Sequence, residues 1–342
     1  MKINTPKWVV LLSLGLTFLT IEEACAQGKA ALSETFVELA DPTADVNADW
    51  SKVGPGLHSS FVTIDKRFAK SLAPEIAKQN RVKIEGWKGE KLSAQILLWT
   101  NADIADVHVD VSDLVSKNKA VISKTASDAR FVRYVMTDEF AGGCGYRKPE
   151  DFASSLAPDM LDNLKSFDIQ KKTARPVWIS VKIPENAQAG LYQGIVTISG
   201  KGQPSQKLAL ELDVINQTLP KATEWSYHLD QWQHPSAVAR VEGLEMWSDA
   251  HFEAMKPVMQ MLADAGQKVI TTTLNKDPWN VQTYDPYADM ITWTKNSDGT
   301  WTYDYAVFDR WVQFMMDLGV DDMINCYSII PWNNEIHYQD AA

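Results

Sequence analysis

The chain has 342 residues, with 33 Lys and Arg against 44 Asp and Glu and a formal net charge of −11. That acidic balance argues against nucleic acid and anionic membranes as partners, and the length allows more than one domain. The 13 tryptophans are the compositional excess. They crowd into loops of the last third, where aromatic faces can stack on sugar rings or simply fill a core.

Residues 1–26 read as a signal peptide. Lys2 and Lys7 give a positive start, Trp8 to Ile21 is uncharged and mostly apolar, and Ala24-Cys25-Ala26 has the small-x-small pattern of a signal-peptidase site. The apolar run is too short to span a bilayer, so cleavage before Gln27 and export to the periplasm, the cell surface or the medium are expected. A lipoprotein anchored through Cys25 is the alternative, although Glu22 and Glu23 make a poor lipid-attachment box. No other stretch is apolar and long enough for a membrane span. The remaining cysteines, Cys144 and Cys326, fall in different predicted domains, so no disulfide is expected. No zinc-spaced Cys/His cluster or cofactor motif is present, and His228 with His234 reads as strand-end polar chemistry rather than a metal pair.

Residues 27–220 read mainly in period two. Val177 to Ile183, Gly194 to Ser199 and Leu208 to Ile215 alternate between turn residues, and shorter runs precede them at Val82–Ile84, Leu92–Trp99, Val107–Val111 and Phe131–Met136. Many short strands without long helices predict a β-sandwich. Ala141 to Ile169 breaks the pattern and is expected to be a partly helical excursion. Its Gly142-Gly143-Cys144-Gly145 lacks the strand–loop–helix context of a phosphate loop and reads as a turn.

From 221 to 342 the grammar changes. Trp225 to Leu229 reads as a strand, then a helix is predicted with Ser248 as cap and Phe252, Met255, Met259 and Leu262 on one face, ended by Gly266. Pro257 is expected to kink it or start a second helix. Val269 to Leu274 is the next strand, followed by a hairpin across Asn296 to Gly299, a helix through Trp311 and Met315, and a third strand from Met323 to Ile330. Strand–helix alternation with long loops at the strand C-terminal ends predicts the opening of a (β/α)8 TIM-type barrel. Three strands cannot close one, so the natural polypeptide is expected to continue past Ala342, and Trp225, Ile270, Trp311 and Ile329 to lack their opposing layers.

Two stretches, Arg175 to Pro184 and Ala189 to Val196, together with Trp87-Lys-Gly-Glu90, resemble the N-terminal sandwich of glycoside hydrolase family 123. Leu229 to Pro235, Leu262 to Lys268 and Tyr327 to Asn333 resemble its catalytic barrel, in the right order. The resemblance implies an Ig-like sandwich before a barrel, and an exo-acting β-N-acetylgalactosaminidase whose substrate acetamide attacks the anomeric carbon. It implies an adjacent Asp-Glu pair at the end of the fourth barrel strand, beyond Ala342, so that no catalytic residue lies in this chain and the chain alone is inactive.

The carboxylates that are present make poor substitutes. Asp138-Glu139 belongs to the sandwich, Asp321-Asp322 precedes the third strand at the wrong end of a barrel, and Glu335 follows the third strand beside Asn334. The candidate substrate-binding residues sit at strand C-terminal ends: Asp230, Trp232 and His234 after the first, Trp279 and Gln282 after the second, Trp332 and Asn333 after the third. Each tryptophan could equally be core, Asp230 a loop cap, and His234 a loop-fixing hydrogen bond. The expected partner is a glycan with a terminal amino sugar, with no metal or cofactor. A non-catalytic glycan-binding protein and an adhesive surface protein are the rival readings.

Overall fold

The computed structural model describes residues 36–137, apart from 43 and 45–47, and 155–341, apart from 281, 282, 328 and 329. The expected signal peptide, Asp138-Glu139, the Gly142–Gly145 turn, Cys144, Gln282 and Ile329 lie outside the described residues. The chain divides into two compact units that part between Leu219 and Pro220.

Among its described residues the first unit holds β-strands and one 3₁₀ turn. Its strands are β1 (Leu57–Val62), β2 (Arg81–Lys88), β3 (Lys91–Thr100), β4 (Ile104–Val111), β5 (Leu114–Ser116) and β6 (Val121–Ile122). They continue as β7 (Ser127–Thr137), β8 (Ser155–Leu161), β9 (Phe167–Ile169), β10 (Thr173–Lys182), β11 (Gly190–Ser199) and β12 (Gln206–Thr218). One sheet has the order β1-β3-β10-β7-β8; the other runs β2-β12-β11-β4-β9, with β5 and β6 attached to β11. Ile96, Phe131, Val177 and Ile179 from the first sheet share one buried cluster with Val196, Ile198, Leu210 and Leu212 from the second. Alternate residues of β12 are buried, which is the period-two signal seen in the sequence.

The expected helical excursion is corrected over 155–169, where β8 and β9 form instead. Their alternation is too short to read, and β8 carries Pro158 at a register shift against β7. A buried charge cluster closes one side of this unit. Glu38 accepts from Arg133 Nε at 3.0 Å, Arg175 Nη2 at 2.9 Å and Lys70 Nζ at 2.7 Å, while Arg133 also pairs with Asp162. Burial alone would raise the Glu38 pKa, but Arg175 and Lys70 hold it down to about 2.

The second unit contains α1 (Pro235–Glu242), α2 (Asp249–Asp264), β13 (Val269–Thr273), β14 (Thr292–Lys295), β15 (Trp301–Asp304), α3 (Ala306–Asp317), β16 (Met323–Tyr327) and β17 (Gln339–Asp340). Ser248 caps α2 by accepting from His251 N, as its position predicts. Pro257 lies inside one continuous α2 rather than dividing it. It is the ninth of the helix's 16 residues. Gly243 ends α1 in the left-handed region at φ 64.

The predicted first strand over Trp225–Leu229 does not form. A 3₁₀ turn at Ala222–Glu224 precedes it, and only Leu229 makes a parallel bridge, to Gln267. The Trp225 ring is turned onto Gly266, where a Cβ would stand 2.7 Å from Cε3, and its Nε1 donates to Pro220 O at 2.8 Å. β13 and β16 pair in parallel, Val269 opposite Met323 and Thr273 opposite Tyr327, with α3 between them in the chain. The expected lack of cover is also corrected in part. Trp311 and Ile270 are buried among Phe252, Met255, Met259 and Met315, because α2 and α3 supply a core of their own. On β16, Met323 and Ile324 stay exposed, 49% and 45%. The complete barrel is not formed by the described residues, which contribute this parallel pair and one bridge.

Candidate functional site

The C-terminal ends of β13 and β16 lie side by side, and the loops leaving them gather an aromatic cluster. The segment from Leu229 to Gln233 is held against β13 by side chains in place of a β-ladder. Gln231 N donates to Gln267 Oε1 at 3.0 Å, Gln267 Nε2 donates to Val269 O at 2.7 Å, and Thr271 N donates to Gln233 Oε1 at 2.7 Å. Gln233 and Gln267 are each 2% exposed, so these amides replace hydrogen bonds that water cannot supply.

That lacing sets Trp232 on the cluster. Its ring stacks on Trp279 at 4.8 Å and 23°, and Tyr327, the last residue of β16, tilts against both rings at 5.3 and 4.7 Å. Tyr287 meets Trp279 edge-on at 4.5 Å, and His234 packs on Tyr287 at 4.0 Å. Trp279 and Tyr287 are buried, whereas Trp232 is 49% exposed. The result is an indole supported from below by aromatic rings and open to solvent above, a surface suited to the apolar face of a planar or ring-shaped ligand.

Polar groups border it. Asp285 accepts from Arg240 Nε at 2.7 Å, and the Arg240 guanidinium lies 4.8 Å from the Tyr284 ring. Burial lowers the His234 pKa, with Asp285 countering it, so the imidazole is neutral at neutral pH. His234 Nε2 is buried without a hydrogen-bond partner. Burial raises the Asp289 pKa, offset by His337 and Lys276, and pushes the Tyr287 hydroxyl up to about 12. Among the described residues no group of three or more His, Cys, Asp or Glu could hold a metal ion.

The structure therefore brings Trp232, His234 and Trp279 together. Asp230 is exposed beside them on the same segment. Trp332 is 63% exposed, its backbone N donating to Pro278 O at 3.0 Å, which ties its loop to the one that carries Trp279. Asn333 is engaged locally, accepting from Glu335 N at 2.9 Å, and Glu335 is exposed in that same turn. Asp322 pairs with Lys268 Nζ at 3.5 Å at the opposite, N-terminal end of the strands. Sequence reasoning missed Tyr287 and Asp285 in a loop without periodicity, and placed Tyr327 in a strand and in the stretch resembling the family's barrel without naming it a site residue.

The family model of the glycoside hydrolase 123 N-terminal domain matches residues 61–200, and that of the glycoside hydrolase 123 catalytic domain matches residues 232–342. The solved structure of a family 123 glycoside hydrolase from Clostridium perfringens, described for glycolipid glycan hydrolysis, is 28% identical with a TM-score of 0.74. The match covers 83% of this chain and 50% of that one, so this chain spans half the length of its relative. A PapD-like domain of human CEP192 (12% identity, TM-score 0.24, 42% of this chain and 94% of that one) carries no argument. Nor does the periplasmic chaperone SfaE (9%, 0.25, 48% and 60%). No curated protein matches the sequence.

Proposed function

Because this chain belongs to glycoside hydrolase family 123, we propose that it forms the front part of an exo-β-N-acetylgalactosaminidase and holds the terminal sugar on Trp232. The observation that carries this reading is the half-exposed Trp232 ring stacked on buried Trp279 at the C-terminal ends of parallel strands. In β/α architectures that end carries the ligand. The helix-linked β13–β16 pair, with Leu229 bridged alongside, supports a (β/α) barrel as the complete catalytic fold.

In the proposed reaction the substrate's 2-acetamido oxygen attacks the anomeric carbon as the glycosidic oxygen leaves. One carboxylate of an Asp-Glu pair orients the acetamide, while the other protonates the leaving oxygen and then activates water. We assign that pair to a fourth strand outside these residues. Half the relative's length is unmatched, which leaves room for it. The relative's glycolipid glycan makes a glycolipid ending in N-acetylgalactosamine the first substrate to try. Export through cleavage before Gln27 is part of the same proposal and would place the enzyme with extracellular glycans.

Titration of the chain with N-acetylgalactosamine, followed by tryptophan fluorescence, tests the binding half. A saturable change that is lost in Trp232→Ala is expected. A wild-type chain with no response to the sugar overturns the assignment. Turnover of an aryl β-N-acetylgalactosaminide by the chain alone, abolished by Glu335→Gln, would move the acid role to Glu335.

A further inference from the structure

The sandwich unit carries a cleft of about 760 Å³, formed by loops 48–54 and 66–78 over the outer face of β3. Phe68, Trp99 and Ala174 of its lining belong to a second apolar cluster, completed by Trp50 and Leu97 and separate from the core between the sheets. The walls are tied down. Trp50 Nε1 donates to Ser71 O at 2.9 Å, joining one loop to the other, and Tyr134 Oη donates to Phe68 O at 2.8 Å. Ala174 N donates to Lys70 O at 2.9 Å, fixing the second loop to the start of β10. A cleft held in this way exists before any ligand arrives, which lowers the ordering cost of binding.

Two features of its lining point to a ligand class. First, His58 stacks on Trp99 at 5.6 Å and 24°, its Nε2 donating to Gly54 O at 3.0 Å, so a half-buried imidazole lines the cavity over a Trp99 that is itself only 5% exposed. Second, Lys78 Nζ stands 5.3 Å from the Trp99 ring and 3.3 Å from His58 Nδ1, placing a cation at the edge of that pair. Lys66 and Arg67 also line the cleft. The opposing acids are Asp49 and Glu75, and Asp49 pairs with Lys52 at 3.9 Å. A locally positive cleft on a chain of net charge −11 is a concentration of charge against the trend of the molecule.

We propose that this cleft is a second glycan site that takes an anionic sugar residue, its ring against His58 and its carboxylate or sulfate met by Lys78. The choice of a sugar over another anion rests on the glycan reading of the chain; the site itself rests on the cleft and its charge. Calorimetric titration of the full chain with galacturonate, galactose 6-sulfate, neutral galactose and inorganic sulfate tests it. One or both anionic sugars should bind, with galactose and inorganic sulfate about ten-fold weaker or more, and Lys78→Gln should lower the affinity about ten-fold, the loss of one charge-assisted hydrogen bond. Binding of galacturonate alone assigns a carboxylate sugar, and binding of galactose 6-sulfate alone assigns a sulfate ester. No binding, equal binding of galactose or of inorganic sulfate, or an unchanged Lys78→Gln variant overturns the proposal. Trp232→Ala, in the other unit, separates the two readings, since it should remove the N-acetylgalactosamine response and leave anionic-sugar affinity unchanged.

Discussion

The Gln233 side chain takes the place of a neighbouring strand for β13, with Thr271 N donating to its Oε1 at 2.7 Å. Its Nε2 donates back to Val269 O at 3.2 Å, so one amide satisfies the edge of a strand whose every residue is buried. Gln233→Ala should therefore leave Thr271 N without a partner and cost about 1–3 kcal/mol of stability in the second unit. Urea unfolding with hydrogen exchange at Val269–Thr273 measures this; unchanged protection there would show that the amide is dispensable.

Trp279 and Trp232 should separate stability from binding. Trp279 is 4% exposed, so Trp279→Ala opens a core cavity and should cost about 3–5 kcal/mol. Trp232 is 49% exposed, and its removal should cost only the stacking contribution, about 0.5–1.5 kcal/mol, while abolishing the sugar response. Equal destabilisation by the two variants would mean that Trp232 is core and no platform.

Glu38 neutralises buried Arg133 and Arg175 at once. Glu38→Gln should leave Arg175 without its counter-charge, Arg133 keeping only Asp162, and cost about 3–5 kcal/mol in the sandwich unit. Its folded pKa of about 2 lies below the ordinary 4.5, so the unfolded state binds the proton first as pH falls. The stabilisation is complete above about 4.5 and drains away as pH approaches about 2. Acid titration of the melting temperature should show this step in the wild type and lose it in Glu38→Gln.

His251 gives the second unit a pH response at a higher range. It is fully buried, its Nδ1 accepting from Trp247 N at 3.1 Å and its Nε2 donating to Pro235 O at 2.9 Å. Burial lowers its pKa below the ordinary 6.5, with the Pro235 carbonyl countering. Stability is then full above 6.5 and falls as the solution is acidified through the folded value, because the unfolded chain takes the proton first. Denaturant melts at about pH 7.5 and about pH 5 should show a loss in the wild type that His251→Gln lacks. A wild type equally stable at both would sink this assignment.

Much of this protein was legible from local pattern. Three of the sandwich strands announce themselves by alternation, because a strand buried on one side must repeat every second residue, as β12 does. Ser248 and the Phe252–Met259 face mark α2, and Asn296 to Gly299 marks the β14–β15 hairpin, since caps and turns are chosen by chemistry within a few residues. The grouping of Trp232, His234 and Trp279 followed from a rule about which end of a parallel strand carries loops. What tertiary structure alone decided is everything set by partners distant in sequence. Trp225–Leu229 has a strand's composition but makes one bridge, because glutamine amides from Gln233 and Gln267 take up the β13 edge instead. Trp232 is open while Trp279 beneath it is closed, a difference that two identical side chains cannot encode by themselves. The charge cluster on Glu38 joins residues nearly a hundred or more apart, 38 with 133 and 175, and no periodicity reports such a pairing. Local propensity sets the elements; burial against remote neighbours sets which face of each element is left for a ligand.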